Sequence, residues 1–299
     1  MKNKASVKSL GIITCGAFAC LPLHAQITGD LNTTSVSYGN PLAVQTINTG
    51  FGASSGASGG DDYNGSELDA AYGTVSGGNL YLFIAGDVQG GTNPNSIQIF
   101  LGGGGSTVGQ STLNTSVGPL STMNGSIFGF NATLALTFND YSGTLYADGA
   151  NLQGGGGGYL GSISLTSGIG SGSPGGGSYS LSGFQEALNN TQVSTMNGSA
   201  AGTAFSGGAL STTGLELAIP LADLGTISGN IDVLADINNN NLNYLSNQFL
   251  PGMPVGTGNL GSASFDDPNY FVIAVPEPST LALLSMSGLG ALFAFRRRS

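Results

Sequence analysis

Apolar and polar residues alternate along most of this 299-residue chain, and this period of two predicts β-strands. Residues 66–75 (SELDAAYGTV) and 80–86 (LYLFIAG) form two such runs, joined across Gly77-Gly78. A pair of glycines between two strand-like runs is typical of a tight hairpin. The pattern predicts many short strands, with further alternating runs at positions 41–51, 97–101, 126–138, 143–147, 159–165 and 271–275.

Two later segments indicate which strand faces are buried. Residues 213–219 (TGLELAI) place three aliphatic side chains on one face and Glu216 on the other, and Pro220 ends the strand. Residues 230–237 (NIDVLADI) oppose an aliphatic face to one that carries aspartates. We expect the aliphatic faces to pack into a core and the acidic faces to be solvated.

Helical patterns are scarce in the body of the chain. Residues 184–193 (FQEALNNTQV) predict one short helix, and residues 220–225 predict a single helical turn closed by glycine. The predicted fold class is therefore all-β, a jelly-roll-like β-sandwich with Gly/Asn-rich loops. Glycine runs such as 102–105 lack the lysine of a phosphate-binding loop, so we interpret them as connections.

The first 25 residues have the build of a secretory signal peptide. Three lysines within the first eight residues precede an apolar stretch, and His24-Ala25 follow. This order predicts an N-terminal signal helix, export by the Sec machinery and cleavage after Ala25. Lipoprotein processing at Cys20 is the alternative, but Phe18 fits such a cleavage site poorly.

The last segment, residues 275–299, has three parts. Pro276-Glu277-Pro278 is a stiff tripeptide, residues 281–295 are uncharged and apolar, and three arginines follow. As a helix, residues 281–295 span about 22 Å, against a hydrocarbon core of about 30 Å. With Ser279-Thr280 and snorkelling arginines, the segment predicts a transmembrane helix across a thin membrane, with the arginines on the cytoplasmic side.

This tail resembles the PEP-CTERM sorting signal of Gram-negative bacteria, also described as an ice-binding protein C-terminal domain, through Val275, Pro276, Glu277, Pro278, Arg296, Arg297 and Arg298. The resemblance implies export, a precursor anchored in the inner membrane, and processing by an exosortase near the tripeptide. It further implies placement at the cell surface or in the extracellular matrix, with extracellular polysaccharide as a partner. The ice-binding label belongs to the tail and does not indicate ice binding. An ordinary C-terminal membrane anchor is the alternative.

Between these ends, residues 26–274 form the secreted body, whose charge is wholly negative. The body contains no Lys, Arg, His, Cys or Trp, and it holds every Asp and Glu of the chain except Glu277. A body without cations is not expected to bind nucleic acid or anionic lipid headgroups. Its expected partners are cations or neutral polyhydroxyl surfaces. Without cysteines, a core rather than disulfides must hold the fold together.

The missing residue types also restrict catalysis. Without His, Cys, Lys or Arg there is no Ser-His triad, Schiff-base lysine or zinc site of the usual kind. A glycosidase built on two carboxylates is the surviving enzyme class, and its candidates are Glu67, Asp69, Glu186 and Glu216. Solvated acids on strand faces explain Glu216 and the pair Glu67 and Asp69 more simply, so we expect no enzymatic activity.

Calcium is the one cofactor that the sequence suggests. Asp236, Asn238 and Asn240 have the i, i+2, i+4 oxygen spacing of a calcium loop, and Asp232 lies just upstream. No glycine occupies the sixth place, and Asn247 stands where a bidentate Glu would close an EF-hand. An Asn-rich turn without a metal is the favoured alternative.

Tyrosines are the candidate contacts for a sugar, because their rings can stack on pyranose faces while Asn and Asp bond hydroxyl groups. Trp, which carbohydrate-binding platforms often use, is missing. Burial in strands is the alternative for most of them. The candidates are Tyr63, Tyr72, Tyr81, Tyr141, Tyr146 and Tyr159.

The body resembles DOMON-like and carbohydrate-binding-module-like sandwiches. The residues that carry the resemblance are 67–72 (ELDAAY), 80–86 and 214–220, and residues 246–251 (SNQFLP) look like a recurring element of PEP-CTERM surface proteins. Haem-binding members of the DOMON group use His or Met ligands, and a body without His does not carry that activity over.

The sequence thus predicts an exported, non-enzymatic protein of the cell surface or matrix with a structural or adhesive role in polysaccharide. A calcium-assisted carbohydrate-binding module is the first alternative, and a carboxylate glycoside hydrolase is the second.

Overall fold

A computed structural model describes residues 25–51, 66–104, 107–191, 201–225 and 229–276, and their regular secondary structure is almost entirely β-strand. The strands are β1 Ala43–Val44, β2 Glu67–Ser76, β3 Asn79–Asp87, β4 Ser96–Gly103, β5 Gln110–Thr112, β6 Ile127–Ala132, β7 Leu134–Asp140, β8 Thr144–Asn151, β9 Gly157–Ser164, β10 Ile169–Gly172, β11 Gly175–Gly176, β12 Gln185–Asn189, β13 Gly214–Pro220, β14 Ile231–Asn238, β15 Leu245–Leu250, β16 Asp266–Asp267 and β17 Phe271–Ile273. Short 3-10 turns cover Pro119–Met123, Gly208–Leu210 and Leu221–Leu224.

The strands form two large antiparallel sheets and one small sheet. The smaller of the two large sheets has the order β1-β2-β3-β13-β12-β10. The larger has the order β11-β9-β8-β7-β4-β14-β15, with β17 also paired to β14. The small sheet has the order β16-β6-β5. The all-β prediction is confirmed, and the arrangement is consistent with a β-sandwich.

The main core lies where the two large sheets share one cluster of aliphatic side chains. Alternate residues of β3 and β13, such as Leu82 and Leu217, meet alternate residues of β4 and β14, such as Ile99 and Val233. All four are 0% exposed. Burying one such side chain stabilises the fold by about 1.5–3 kcal/mol, and the main core repeats this along every central strand.

A second core covers the other face of the larger sheet. Phe100 and Phe249 project from that face and pack against Phe128 and Phe265, which belong to the small sheet and the loop before it. The ring centroids lie 4.7 Å apart for Phe100 and Phe128, and 5.4 Å apart for Phe249 and Phe265. Strand β14 is therefore buried on both faces, and the expectation that its acidic face is solvated is wrong.

A third cluster lies on the outer face of the six-stranded sheet that contains β2 and β3. Residues 25–38 cover this cluster, and we name them the N-terminal strap. Ile27 and Tyr38 of the strap pack with Tyr72, Tyr81 and Phe83 of β2 and β3. The Tyr38 ring lies 5.9 Å from that of Phe83 and 6.4 Å from that of Tyr72. The N-terminal strap therefore covers a sheet face although its sequence is largely polar.

The β2–β3 hairpin is present as predicted. Its turn residues Gly77 and Gly78 have φ angles of 58° and 83°, the left-handed conformation that a tight two-residue turn requires and that glycine adopts without strain. The strands then pair from Ser76 and Asn79 outward, with a bulge between Leu68 and Ala70.

The helix predicted for residues 184–193 is wrong. Residues Gln185–Asn189 form β12, which pairs with β13 on one side and β10 on the other. Leu188 faces the main core, and two neighbouring strands supply ladder hydrogen bonds that a short isolated helix lacks. The single helical turn predicted for residues 220–225 is confirmed as the 3-10 turn Leu221–Leu224, followed by Gly225 with φ 77°.

Buried amide side chains of β15 form hydrogen bonds that connect the larger sheet to the segment after β1 and to the start of β2. Gln45 Nε2 donates to Gln248 Oε1 at 3.3 Å, and the backbone N–H of Leu68 donates to the same Oε1 at 3.2 Å. Asn247 Nδ2 donates to the carbonyl of Asn48 at 2.9 Å. The SNQFLP element thus has a structural role, because its amides satisfy backbone groups of segments distant in sequence.

Candidate functional site

Three of the six candidate tyrosines meet on the larger sheet, where the second core does not cover it. Tyr146 in β8 lies with its ring centroid 6.4 Å from that of Tyr141 and 6.0 Å from that of Tyr159 in β9. Tyr141 is 45% exposed, and the other two are half-buried. The result is a continuous row of aromatic rings at the surface of a rigid sheet.

Polar groups flank this row because of strand register. Asn139 lies directly across from Tyr146, and Asp148 lies across from Tyr159. Both polar side chains are half-buried, and burial raises the pKa of Asp148 above its ordinary value. We name Asn139, Tyr141, Tyr146, Asp148 and Tyr159 the tyrosine face. Such a surface offers aromatic planes for stacking together with hydrogen-bonding groups for hydroxyls.

The other candidate tyrosines have different surroundings. Tyr72 and Tyr81 are 6% and 3% exposed and belong to the cluster beneath the N-terminal strap. Burial, and then the nearby Asp69, raises the pKa of Tyr72. Tyr63 lies outside the described residues. For Tyr72 and Tyr81, the alternative of burial in strands is therefore the one that the structure shows.

A shallow cleft of about 400 Å³ lies at the turn between β8 and β9. Gln153, Tyr179 and Asp223 are among the residues that line it. Burial raises the pKa of Asp223, and burial together with the charge of Asp223 raises the pKa of Tyr179. Gln153 Nε2 donates to the carbonyl of Leu224 at 3.1 Å, so this side of the cleft is fixed by a hydrogen bond.

Buried acids are the main electrostatic feature of the fold. Nine acids in the described part of the chain are buried, namely Glu67, Asp69, Asp87, Asp140, Glu186, Glu216, Asp232, Asp236 and Asp267. The body contains no Lys, Arg or His to pair with them. Each buried carboxyl group must therefore be stabilised by hydrogen-bond donors, by a proton or by a bound cation.

Glu216 is stabilised by donors. Its Oε2 accepts the backbone N–H groups of Thr28 at 2.7 Å and Gly29 at 2.9 Å. Its Oε1 accepts the hydroxyl groups of Thr34 at 2.6 Å and Tyr38 at 3.1 Å. All four donors belong to the N-terminal strap, so Glu216 is the anchor that holds the strap on the sheet.

Glu186 is stabilised by a proton. It lies across from Leu217 on β13 and faces the main core, and it is 0% exposed. Neither carboxyl oxygen has a hydrogen-bond partner among the described residues. Burial raises the pKa of Glu186 to about 8, so the side chain is predominantly neutral at pH 7.

Glu67 and Asp69 lie near the start of β2 and are both 0% exposed. Glu67 lies across from Asp87, and the bulge after Leu68 interrupts the strand alternation at Asp69. Burial raises the pKa of Asp69 to about 7, an effect that a hydrogen bond from the Ser211 hydroxyl opposes. The expectation that Glu67, Asp69 and Glu216 are solvated on strand faces is therefore wrong.

The suggested calcium ligands lie mostly within a strand. Asp232, Asp236 and Asn238 belong to β14, and Asn240 lies in the turn that follows. Asn238 Oδ1 accepts the backbone N–H groups of Asn239 at 2.9 Å and Tyr244 at 3.0 Å, which closes that turn. Burial, and then Asp267, raises the pKa of Asp236. In the described ranges, no three Asp, Glu, His or Cys side chains converge on a metal position.

Of the sorting residues, Val275 and Pro276 are described, and residues 277–299 lie outside the described ranges. Val275 packs against the main core two residues after β17 ends at Ile273. No helix in the described ranges is long and apolar enough to cross a membrane. The predicted signal helix lies in residues 1–24, outside the described residues, and cleavage after Ala25 stays a prediction.

Comparison with known families supports the interpretation of the tail. Residues 274–298 match the PEP-CTERM protein-sorting motif, which indicates an exported protein targeted to an exosortase. Neither a curated protein nor a solved structure matches the chain. The chain is thus an exported all-β protein with a PEP-CTERM sorting motif and a tyrosine face on its larger sheet.

Proposed function

We propose that this protein is a non-enzymatic component of the cell surface or extracellular polysaccharide matrix, with a structural or adhesive role, and that the tyrosine face contacts neutral polysaccharide. The row of three tyrosine rings flanked by Asn139 and Asp148 carries this proposal. The precursor is inserted in the inner membrane through the C-terminal helix until an exosortase acts on it.

The charge of the body supports a neutral ligand. With no Lys, Arg or His in residues 26–274, an anionic polymer would meet only repulsion. A neutral polysaccharide offers hydroxyl groups that bond to carboxylates and amides, and sugar faces that stack on tyrosine. An open row of rings on a sheet also suits a polymer better than a small molecule, which buries most of its surface in a pocket.

Replacing Tyr146 by Ala should weaken binding to a neutral polysaccharide by about tenfold or more, because it removes the central ring of the row; tenfold corresponds to about 1.4 kcal/mol. Affinity electrophoresis in gels that contain neutral α- or β-glucans measures the effect as a change in mobility. The control is Tyr244→Ala, because Tyr244 is as exposed as Tyr141 of the tyrosine face, at 45%, but stacks on Phe51 outside that face. Equal mobility of the wild type and Tyr146→Ala in every glucan would contradict the proposed face.

Calcium assistance is the second candidate, and the half-buried Asp148 beside Tyr159 is the observation that favours it. A carboxylate next to a stacking ring can hold a cation that also binds sugar hydroxyls. Repeating the glucan binding with a chelator separates the two candidates. Retention of full affinity would exclude the calcium-assisted form.

A glycoside hydrolase is the third candidate, and the burial of its proposed carboxylates counts against it. Glu67, Asp69, Glu186 and Glu216 are each 0% exposed, whereas a glycosidase needs two carboxylates that reach the scissile bond. Glu216 is further occupied by four donors from the strap. Release of reducing sugar from any of the glucans by the wild type would contradict the non-enzymatic proposal.

Processing at the sorting motif should remove Arg296–Arg298 from the secreted protein. Intact mass measured on protein from an exosortase-containing host is expected to correspond to a C-terminus near Pro276–Pro278. The control is the same gene in a host without exosortase, where the full tail should remain. A secreted product that retains the three arginines in the first host would contradict exosortase processing.

A further inference from the structure

The predicted signal cleavage site directly precedes the N-terminal strap. Gln26 is exposed, whereas the next residue, Ile27, is 3% exposed and packs beneath the N-terminal strap. Cleavage after Ala25 would cost the contact of the Ala25 backbone N–H with the Tyr81 hydroxyl, at 3.3 Å. The bonds that hold the strap, all made by residue 26 and later residues, would remain.

The backbone of Gln26 is held at this end of the strap. Its N–H donates to Ser35 Oγ at 2.6 Å, and its carbonyl accepts the Ser35 N–H at 3.0 Å and the Thr34 hydroxyl at 3.0 Å. The nitrogen therefore makes one hydrogen bond, as a donor. A free ammonium would present three donors and a positive charge at this position.

We propose that the new N-terminal Gln26 is converted to pyroglutamate after export, which makes it a modification site of the mature protein. The α-amino nitrogen attacks Cδ of the Gln26 side chain, the N–Cδ bond forms, and the Cδ–Nε2 bond breaks. Ammonia leaves with a proton from the α-amino group, so no oxidant or other reactant is needed. The product is a five-membered lactam whose nitrogen keeps one N–H, which is the number of donors that Ser35 Oγ accepts.

Two features of Gln26 permit the reaction. Its side chain is exposed, and it makes no hydrogen bond with the described residues, so it is free to bend back toward its own nitrogen. The strap holds the Gln26 backbone through its N–H and carbonyl and leaves the side chain unbound. Cyclisation also removes the one basic group that cleavage creates, because residues 26–276 contain no Lys, Arg or His. The mature body then carries no positive charge.

This inference rests on the proposed export and cleavage after Ala25. One experiment distinguishes a failure of that cleavage from a failure of the cyclisation. The secreted protein is digested with an Asp/Glu-specific protease, since the body offers trypsin no site, and the N-terminal peptide is sequenced by mass spectrometry. We expect a peptide that starts at residue 26, is lighter by one ammonia, and becomes open to Edman degradation only after pyroglutamyl aminopeptidase treatment. Gln26→Ser is the control, because serine cannot form the lactam and should leave a free amine.

A peptide that starts at Gln26 with a free amine would overturn the cyclisation and leave the cleavage site intact. A peptide that starts at any other residue would overturn both.

Discussion

Glu216→Ala should lower the free energy of unfolding by about 3–5 kcal/mol. The substitution removes the acceptor of four hydrogen bonds and leaves the backbone N–H groups of Thr28 and Gly29 without their partner. Hydrogen bonds to charged groups contribute about 1.5–3 kcal/mol each, and bonds that share one carboxylate are not additive. Urea unfolding followed by far-UV circular dichroism measures the change. Hydrogen exchange at residues 28 and 29 shows whether the N-terminal strap is released.

Glu216→Gln should have an intermediate effect, because an amide oxygen can still accept two N–H groups while hydroxyl groups can rotate to accept from the amide nitrogen. A wild-type stability for Glu216→Ala, with unchanged exchange at residues 28 and 29, would show that the strap is held by apolar packing alone. The tyrosine near-UV signal reports separately on the packing of Tyr38 against Tyr72 and Phe83.

Glu186→Gln should instead stabilise the protein at alkaline pH. Burial raises the pKa of Glu186 to about 8 from a model-peptide value of 4.5, so the folded state holds a proton that the unfolded chain has lost over this interval. Stability from this group is fully present below about pH 4.5 and is lost as the pH rises through about 8. A neutral amide avoids this loss, and we expect a gain on the order of 3 kcal/mol at pH 9.

Denaturant unfolding of the wild type and Glu186→Gln between pH 5 and pH 9 checks this expectation. At pH 5 the two proteins should be nearly equal, and the difference should grow toward pH 9. Burial raises the pKa of Asp69 to about 7, so in both proteins Asp69 adds a similar dependence of the free energy of unfolding on pH. Parallel pH profiles for the two proteins would mean that Glu186 is ionised in the fold. The pair Glu216 and Glu186 thus tests two ways of burying the same side chain on neighbouring strands.

Local pattern was sufficient for strands and turns whose signals lie within a few residues. The β2–β3 hairpin followed from Gly77-Gly78 between two alternating runs, because a two-residue turn sets the register by itself. The 3-10 turn after Pro220 followed for the same reason. The helix prediction for residues 184–193 was wrong because helix propensity in a short segment is weak, and two neighbouring strands offer ladder hydrogen bonds to this segment.

The sequence suggested six tyrosines as sugar contacts, and the pairing of strands decides which of them come together. Tyr141, Tyr146 and Tyr159 come together because β7, β8 and β9 are consecutive antiparallel neighbours, and this order would have been the one usable signal. Tyr72 and Tyr81 follow the same sequence pattern, yet the N-terminal strap buries them. The local sequence around them does not predict that residues 25–38 bury them.

By itself, the sequence determined the strand period, the two processed ends and a body without a single cation. That composition already required every buried acid to be neutralised or surrounded by donors. The tertiary structure alone decided which acids are buried and how. Glu216 meets a strap whose nearest bonded residue, Tyr38, is 178 positions away in sequence. Glu186 faces the main core, and no donor from the described part of the chain reaches it. The difference is physical, because strand alternation fixes which side of a sheet a residue occupies, whereas the element that covers that side is chosen by packing at long range.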